Sequence, residues 1–132
     1  MASEATQSAA QGDIGTILIV DGEPAVREIA KLTLESHGYC VLVAEDGAKG
    51  FAMYVDNAGA IGLVISDIDI PILSEAAMIR YVERLNPNIR ILSTSTLVDK
   101  RRGAPPPSRA WLPKPYTPQQ LVSTVHAVLH AG

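Results

Sequence analysis

Residues 16–30 read TILIVDGEPAVREIA, and the class of fold turns on how this stretch divides. Residues 16–20 are apolar or β-branched throughout, too short for a helix and without the alternation of a half-exposed strand, so they read as a strand buried on both faces. Asp21 and Gly22 close it. Pro24 suits the first turn of a helix, Val26, Ile29 and Ala30 begin an inward stripe, and Gly38 stands where a left-handed stop is expected. A fully buried strand that feeds a helix is the opening half of a βαβ unit.

The same alternation continues outward along the chain. Residues 39–44 read as a second strand, and Asp46-Gly47 opens a helix to about Val55, weakened by Gly50. Residues 61–66 form a continuous apolar strand ending at Asp67. After Pro71 a helix begins near Ser74, with Met78, Ile79, Val82 and Leu85 expected as its buried face, and Asn86-Pro87-Asn88 breaks it. Residues 89–95 read as the fourth strand and residues 110–112 as the core of a fifth. Thr117 can cap the last helix, with Pro118 at its first position and Gln120 as capping-box partner; Leu121, Val122, Val125, Val128 and Leu129 supply its stripe. This pattern predicts an α/β fold with a doubly wound, five-stranded parallel sheet, for which we take the flavodoxin-like order 2-1-3-4-5. One unit departs from it. Residues 97–109, LVDKRRGAPPPSR, carry three consecutive prolines where a helix is due, so the fourth helix is expected to be shortened or replaced by a Pro-rich loop.

The chain has 132 residues, 47% hydrophobic and 19% charged, with net charge -3. That is enough apolar material for one domain and offers no field to draw a polyanion, so nucleic acid is not expected as a partner. Residues 1–14 hold little that can be buried and are expected to form a disordered leader before a domain over residues 15–132. The single Cys40 cannot close an intrachain disulfide and is expected to act as a small hydrophobe. No apolar run approaches the roughly 20 residues that cross a bilayer, and the N-terminus lacks the pattern of a secretory signal. A cytoplasmic location without membrane insertion is the expectation.

Ligands of open α/β sheets gather outside the carboxyl ends of the strands. The residues ending the strands here are Asp21, Asp67, Ser95 and Lys114. In the order 2-1-3-4-5 they are neighbours, so two carboxylates, a hydroxyl and an ammonium face one pocket. These groups suit an acyl phosphate: a central carboxylate attacks phosphorus, neighbouring carboxylates hold a divalent cation, and the Lys and hydroxyl bind phosphoryl oxygens. Taken singly, each has an ordinary alternative, since Asp often caps a helix after a strand and Lys often ends a strand at the surface.

With these segments in place, the chain resembles the receiver domains of two-component response regulators over about residues 15–131. The resemblance rests on ILIVDGEPAVRE, LVISDIDIP, ILSTS and LPKPYT, in that order. It implies that Asp67 accepts a phosphoryl group from a histidine kinase or phosphotransfer protein, that Lys114 pairs with that group, and that Ser95 is the switch hydroxyl. It further implies that Trp111 is the aromatic switch of the fifth strand and that Lys114-Pro115 is cis. Magnesium is the implied cofactor, with Asp21, Asp67 and the Asp69 carbonyl as ligands. The implied protein accepts phosphate, with at most assistance to its own phosphorylation and dephosphorylation, and signals by contact with another protein, either alone or as part of a hybrid kinase.

Several positions depart from the family pattern. Gly22 stands where the family has a second acidic residue that ligates magnesium; Glu23, one residue on with a longer reach, is the candidate replacement. Asp69 adds a negative side chain, Leu73-Ser74-Glu75 replaces the common Met-Asp-Gly, and Thr96 is bulkier than the usual small residue. The alternative is therefore a pseudo-receiver, an interaction module with impaired magnesium binding and phosphorylation; a flavin binder on the same fold is a more distant third. His126 and His130 have helical metal-pair spacing without a third ligand nearby in sequence, and Lys100-Arg101-Arg102 reads as a solvated basic loop.

Overall fold

The computed structural model describes residues 15–95 and 110–131. The expected leader over residues 1–14, the altered fourth-helix unit over residues 96–109 and the basic run within it lie outside the described residues. The elements, in chain order, are β1 (Thr16–Val20), α1 (Pro24–Ser36), β2 (Cys40–Ala44), α2 (Gly47–Asp56), β3 (Ile61–Asp67), α3 (Glu75–Leu85), β4 (Arg90–Ser95), β5 (Ala110–Pro113) and α4 (Pro118–Leu129). The strands form one parallel sheet in the order β2-β1-β3-β4-β5, as the sequence predicts.

The alternation of side chains along β1 builds two cores. Ile17 and Ile19 point to the face covered by α1 and α4, where they meet Ala30, Leu34, Leu121 and Val125. Leu18 and Val20 point to the opposite face, where α2 and α3 supply Tyr54, Met78, Ile79 and Val82. Both faces of the sheet are therefore dry, which is why the strands carry no polar alternation.

The helix boundaries follow from local chemistry. Asp46 caps α2 by accepting from the Lys49 N–H, Ser74 caps α3, and α4 opens with a complete capping box between Thr117 and Gln120. Gly38 takes a φ of 90°, so α1 stops where left-handed backbone suits glycine. Gly47 has a different reason. A Cβ there would lie 1.9 Å from the Leu73 carbonyl oxygen, so the β3–α3 connection packs directly on the start of α2.

Two residues expected in the core are exposed. Ile29 is 56% exposed and Leu85 54%. In α1 the inward line is Ala30 and Leu34, four residues apart, and Ile29 is turned about 100° from it. In α3 the inward line is Met78, Ile79 and Val82, and Leu85, the last residue, falls on the flank facing α2. Cys40, expected as a small hydrophobe, is exposed at the start of edge strand β2.

Candidate functional site

Three parallel strands deliver their carboxyl-end residues to one rim. Asp21 follows β1, Asp67 ends β3 and Lys114 follows β5. All three are buried. The parallel register fixes the depth of each: Val20 lies opposite Ser66, Asp67 opposite Thr94, and Ser95 opposite Pro113. Side chains 47 and 93 positions apart in the chain consequently meet within hydrogen-bond distance.

The Lys114 ammonium is the centre of the arrangement. Its Nζ donates to Asp21 Oδ2 at 3.0 Å, to Glu23 Oε1 at 2.7 Å and to Asp67 Oδ2 at 3.2 Å. Three carboxylates thus use all three ammonium hydrogens. The lysine is seated by its backbone: its N–H donates to the Ser95 carbonyl at 2.6 Å, which ties the ends of β4 and β5 together. The following Lys114-Pro115 bond is cis.

Local backbone orients the carboxylates. Asp21 Oδ1 accepts the Glu23 N–H at 2.8 Å, and the Asp21 carbonyl accepts from the Arg27 guanidinium at 2.7 Å. Asp67 Oδ1 accepts the Asp69 N–H at 3.1 Å, leaving Oδ2 for Lys114. Each aspartate therefore spends one oxygen on fixing its own rotamer and turns the other to the centre.

Titration of the site follows its charge. Burial raises the Asp21 pKa above the ordinary aspartate value, opposed by the Glu23 N–H and by Lys114. Burial acts to lower Lys114, but its hydrogen bonds to Glu23 and Asp21 outweigh this and raise it. Tyr116, two residues after the lysine, is pushed up to about 12 by burial and then by the negative charge of Asp21. The charge of the cluster favours positive partners and resists further negative ones, with a single ammonium set against three carboxylates.

One oxygen from each of Asp21, Glu23 and Asp67 lies within 4.8 Å of the others. Such a donor set, hard carboxylate oxygens converging on one point, suits magnesium. Gly22 is exposed, and a Cβ added to it would meet only Pro71 Cδ at 3.6 Å and the Glu45 carbonyl oxygen at 3.7 Å, ordinary contact distances.

The other residues singled out from sequence take distinct places. Ser95 is buried at the carboxyl end of β4, beside the Lys114 backbone. The exposed Asp69 side chain is outside the carboxylate set, and the hydrogen bond above comes from its main chain. Trp111 is half-buried opposite Ser93 and lines a groove of about 760 Å³ with Arg90, Ile91 and Val128. His126 and His130 stack with ring centroids 4.2 Å apart, and among the described residues only the Asp21, Glu23 and Asp67 group brings three metal-ligating side chains together.

Sequence reasoning missed three features. Glu23 binds the lysine; the longer reach that made it a candidate ligand was the available signal. Tyr116 packs against the core on the face of α1 and α4 within reach of the Asp21 charge, and it lies in the Lys-Pro-aromatic segment, which the sequence marks only as a family feature. Glu75 is buried, and Ser93 donates to its Oε2 at 2.7 Å. A glutamate in the first turn of a helix ordinarily reads as a solvated dipole partner, so nothing local distinguished it.

Comparison with known proteins agrees with this fold. The family described as "Response regulator receiver domain" matches residues 17–126. The chain is 29% identical over 117 residues to the sensor kinase CckA of Brucella abortus, covering 86% of this chain and 12% of that protein. It is 31% identical over 119 residues to the phosphate regulon transcriptional regulatory protein PhoB of Pseudomonas aeruginosa, covering 86% of this chain and 51% of that one. Among solved structures, the receiver domain of the hybrid histidine kinase CckA superposes with a TM-score of 0.76 at 29% identity, covering 88% of this chain and all of that one. The chemotaxis response regulator CheY4 of Vibrio cholerae superposes with a TM-score of 0.77 at 26% identity, covering 87% and 98%. The chain spans about half or less of the length of these two curated relatives.

Proposed function

From the membership of this chain in the response regulator receiver domain family of two-component systems, we propose that it is a phosphoacceptor whose Asp67 takes a phosphoryl group from a histidine kinase or phosphotransfer protein. The observation that carries the reading is the triple contact of the Lys114 ammonium with Asp67, Asp21 and Glu23. It supports a preformed cationic partner beside the one buried carboxylate that ends the central strand β3.

In this reading Oδ2 of Asp67, the oxygen turned to the Lys114 ammonium, attacks the phosphorus of an N-phosphohistidine. The new O–P bond forms as the P–N bond breaks, and the imidazole leaves, taking up a proton from solvent. Lys114 loosens from Glu23 and stays with the phosphoryl oxygens. The Ser95 hydroxyl then binds the phosphoryl group, and Trp111 responds from β5. Asp21, Glu23 and Asp67, with the Asp69 carbonyl, are the residues to hold magnesium, which would neutralise phosphoryl oxygens as the negative charges meet. Asp67 makes and breaks the bond, so the chain is a substrate of phosphotransfer with assistance from its own side chains.

Gly22 favours a second reading. Its missing carboxylate, together with the lysine already satisfying the three that remain, describes a pseudo-receiver that acts by contact alone. Titration with magnesium and then beryllofluoride, followed by the fluorescence of Trp111, separates the two. A saturable change in the wild-type chain, lost in Asp67→Asn, supports the phosphoacceptor. A flat response in the wild type with a restored one in Gly22→Asp supports the pseudo-receiver.

A further inference from the structure

Away from the strand ends, α2 and α3 share an apolar seam. Phe51 and Tyr81 meet across it with ring centroids 5.5 Å apart. One turn further on, Val55 follows Phe51 and Leu85 follows Tyr81, each at i+4 and on the same flank. Val55 is 48% exposed, Tyr81 42% and Leu85 54%. Both helices return antiparallel to a parallel sheet, so they run side by side in the same direction, and helical spacing carries the apolar flank on from Phe51 and Tyr81 to Val55 and Leu85.

The charges beside the seam are arranged asymmetrically. Asp56, the last residue of α2, adjoins Val55; Arg84, with Arg80 a turn before it, adjoins Leu85 on α3. Among the described residues, neither the Asp56 nor the Arg84 side chain makes a hydrogen bond or ion pair, whereas Lys49 on the outer side of α2 is already paired with Glu45. Helical spacing turns Asp56 and Arg84 about 180° from the buried lines of their helices, so both face outward at the same end of the layer.

We propose that this α2–α3 face is a homotypic contact surface, occupied by the same face of a second copy of the chain. A two-fold axis parallel to the helices lays α3 of one copy over α2 of the other. It matches seam to seam and sets Arg84 of each protomer against the other's Asp56, an isologous pairing that closes at two copies. An acidic helix end and a basic one at the same level are complementary to themselves under this operation. Four seam side chains per copy are fewer than the roughly 20–30 residues a side of a standard stable interface, so the association is weak and concentration-dependent. The inference does not rest on phosphotransfer at Asp67.

Sedimentation equilibrium across a series from micromolar to millimolar protein tests it, with circular dichroism confirming that each exposed-site variant is folded. The wild-type chain should show a monomer–dimer equilibrium. Leu85→Glu, Asp56→Arg and Arg84→Asp should each weaken it at least about tenfold, and the Asp56→Arg/Arg84→Asp double variant should recover most of the loss, because the exchanged charges pair again. A wild type that stays monomeric throughout overturns the proposal. So does a dimer unaffected by these substitutions, or charge reversals whose double variant is no better than the singles.

Discussion

Gly22 and Tyr116 are the two residues whose chemistry is most open to direct test. The chain around Gly22 has no left-handed φ, and a Cβ there meets nothing closer than 3.6 Å. Aspartate can therefore be introduced without strain. A unit charge pair at 4 Å is worth about 1 kcal/mol in water and about 4 kcal/mol at an effective dielectric of 20, and the cation is divalent. Gly22→Asp should raise magnesium affinity by about tenfold or more, measured by calorimetry; unchanged affinity would show that the ion is not bound beside residue 22. Tyr116 is raised from 10.0 to about 12, by burial first and then by Asp21. The sign follows from linkage: a phenol that stays protonated longer in the folded chain contributes stability below its ordinary pKa, and that stability is lost as pH rises from about 10 toward 12. The difference between ultraviolet alkaline titrations of the wild type and Tyr116→Phe should place its midpoint near 12. A midpoint near 10 would mean that neither burial nor the nearby carboxylate charge acts on the ring.

At the scale of elements, the close approach at the start of α2 matters most. The β3–α3 connection leaves Asp67 and must return over Gly47, whose absent side chain leaves room for the Leu73 carbonyl. Alanine normally favours a helix over glycine by about 1 kcal/mol, but here its methyl would sit 1.9 Å from that oxygen. Gly47→Ala should therefore destabilise the chain by about 2 kcal/mol net, read from urea unfolding. A stabilised variant would mean that the loop does not pack on α2. The elements themselves were legible because each signal was local: unbroken β-branched strands, the Thr117-Gln120 capping box, Pro24 at the start of α1 and Gly38 at its end. Ile29 and Leu85 were misjudged because helical spacing assigns a flank, and only the packed neighbour decides whether that flank is covered. Leu85 faces α2, a helix that stops at Asp56 and leaves it open.

In the molecule as a whole, the site exists because a single strand order brings β1, β3, β4 and β5 to one rim. Asp21, Asp67, Ser95 and Lys114 could be named from sequence since each closes a recognisable apolar run. Their distances could not, because 93 positions separate Asp21 from Lys114. The burial of Glu75 against Ser93 was equally hidden, being a contact between a helix start and a strand that no short window contains. Reach alone marks Glu23 as a candidate metal ligand in the sequence, and the structure shows its carboxylate holding Lys114. Under the proposed function, Asp67 is the phosphoryl-accepting group of this assembly. Intact-mass spectrometry after incubation with acetyl phosphate and magnesium measures it: the account predicts a gain of one phosphoryl group in the wild type, increased in Gly22→Asp and absent in Asp67→Asn. A gain that survives Asp67→Asn, or no gain in either the wild type or Gly22→Asp, would contradict it.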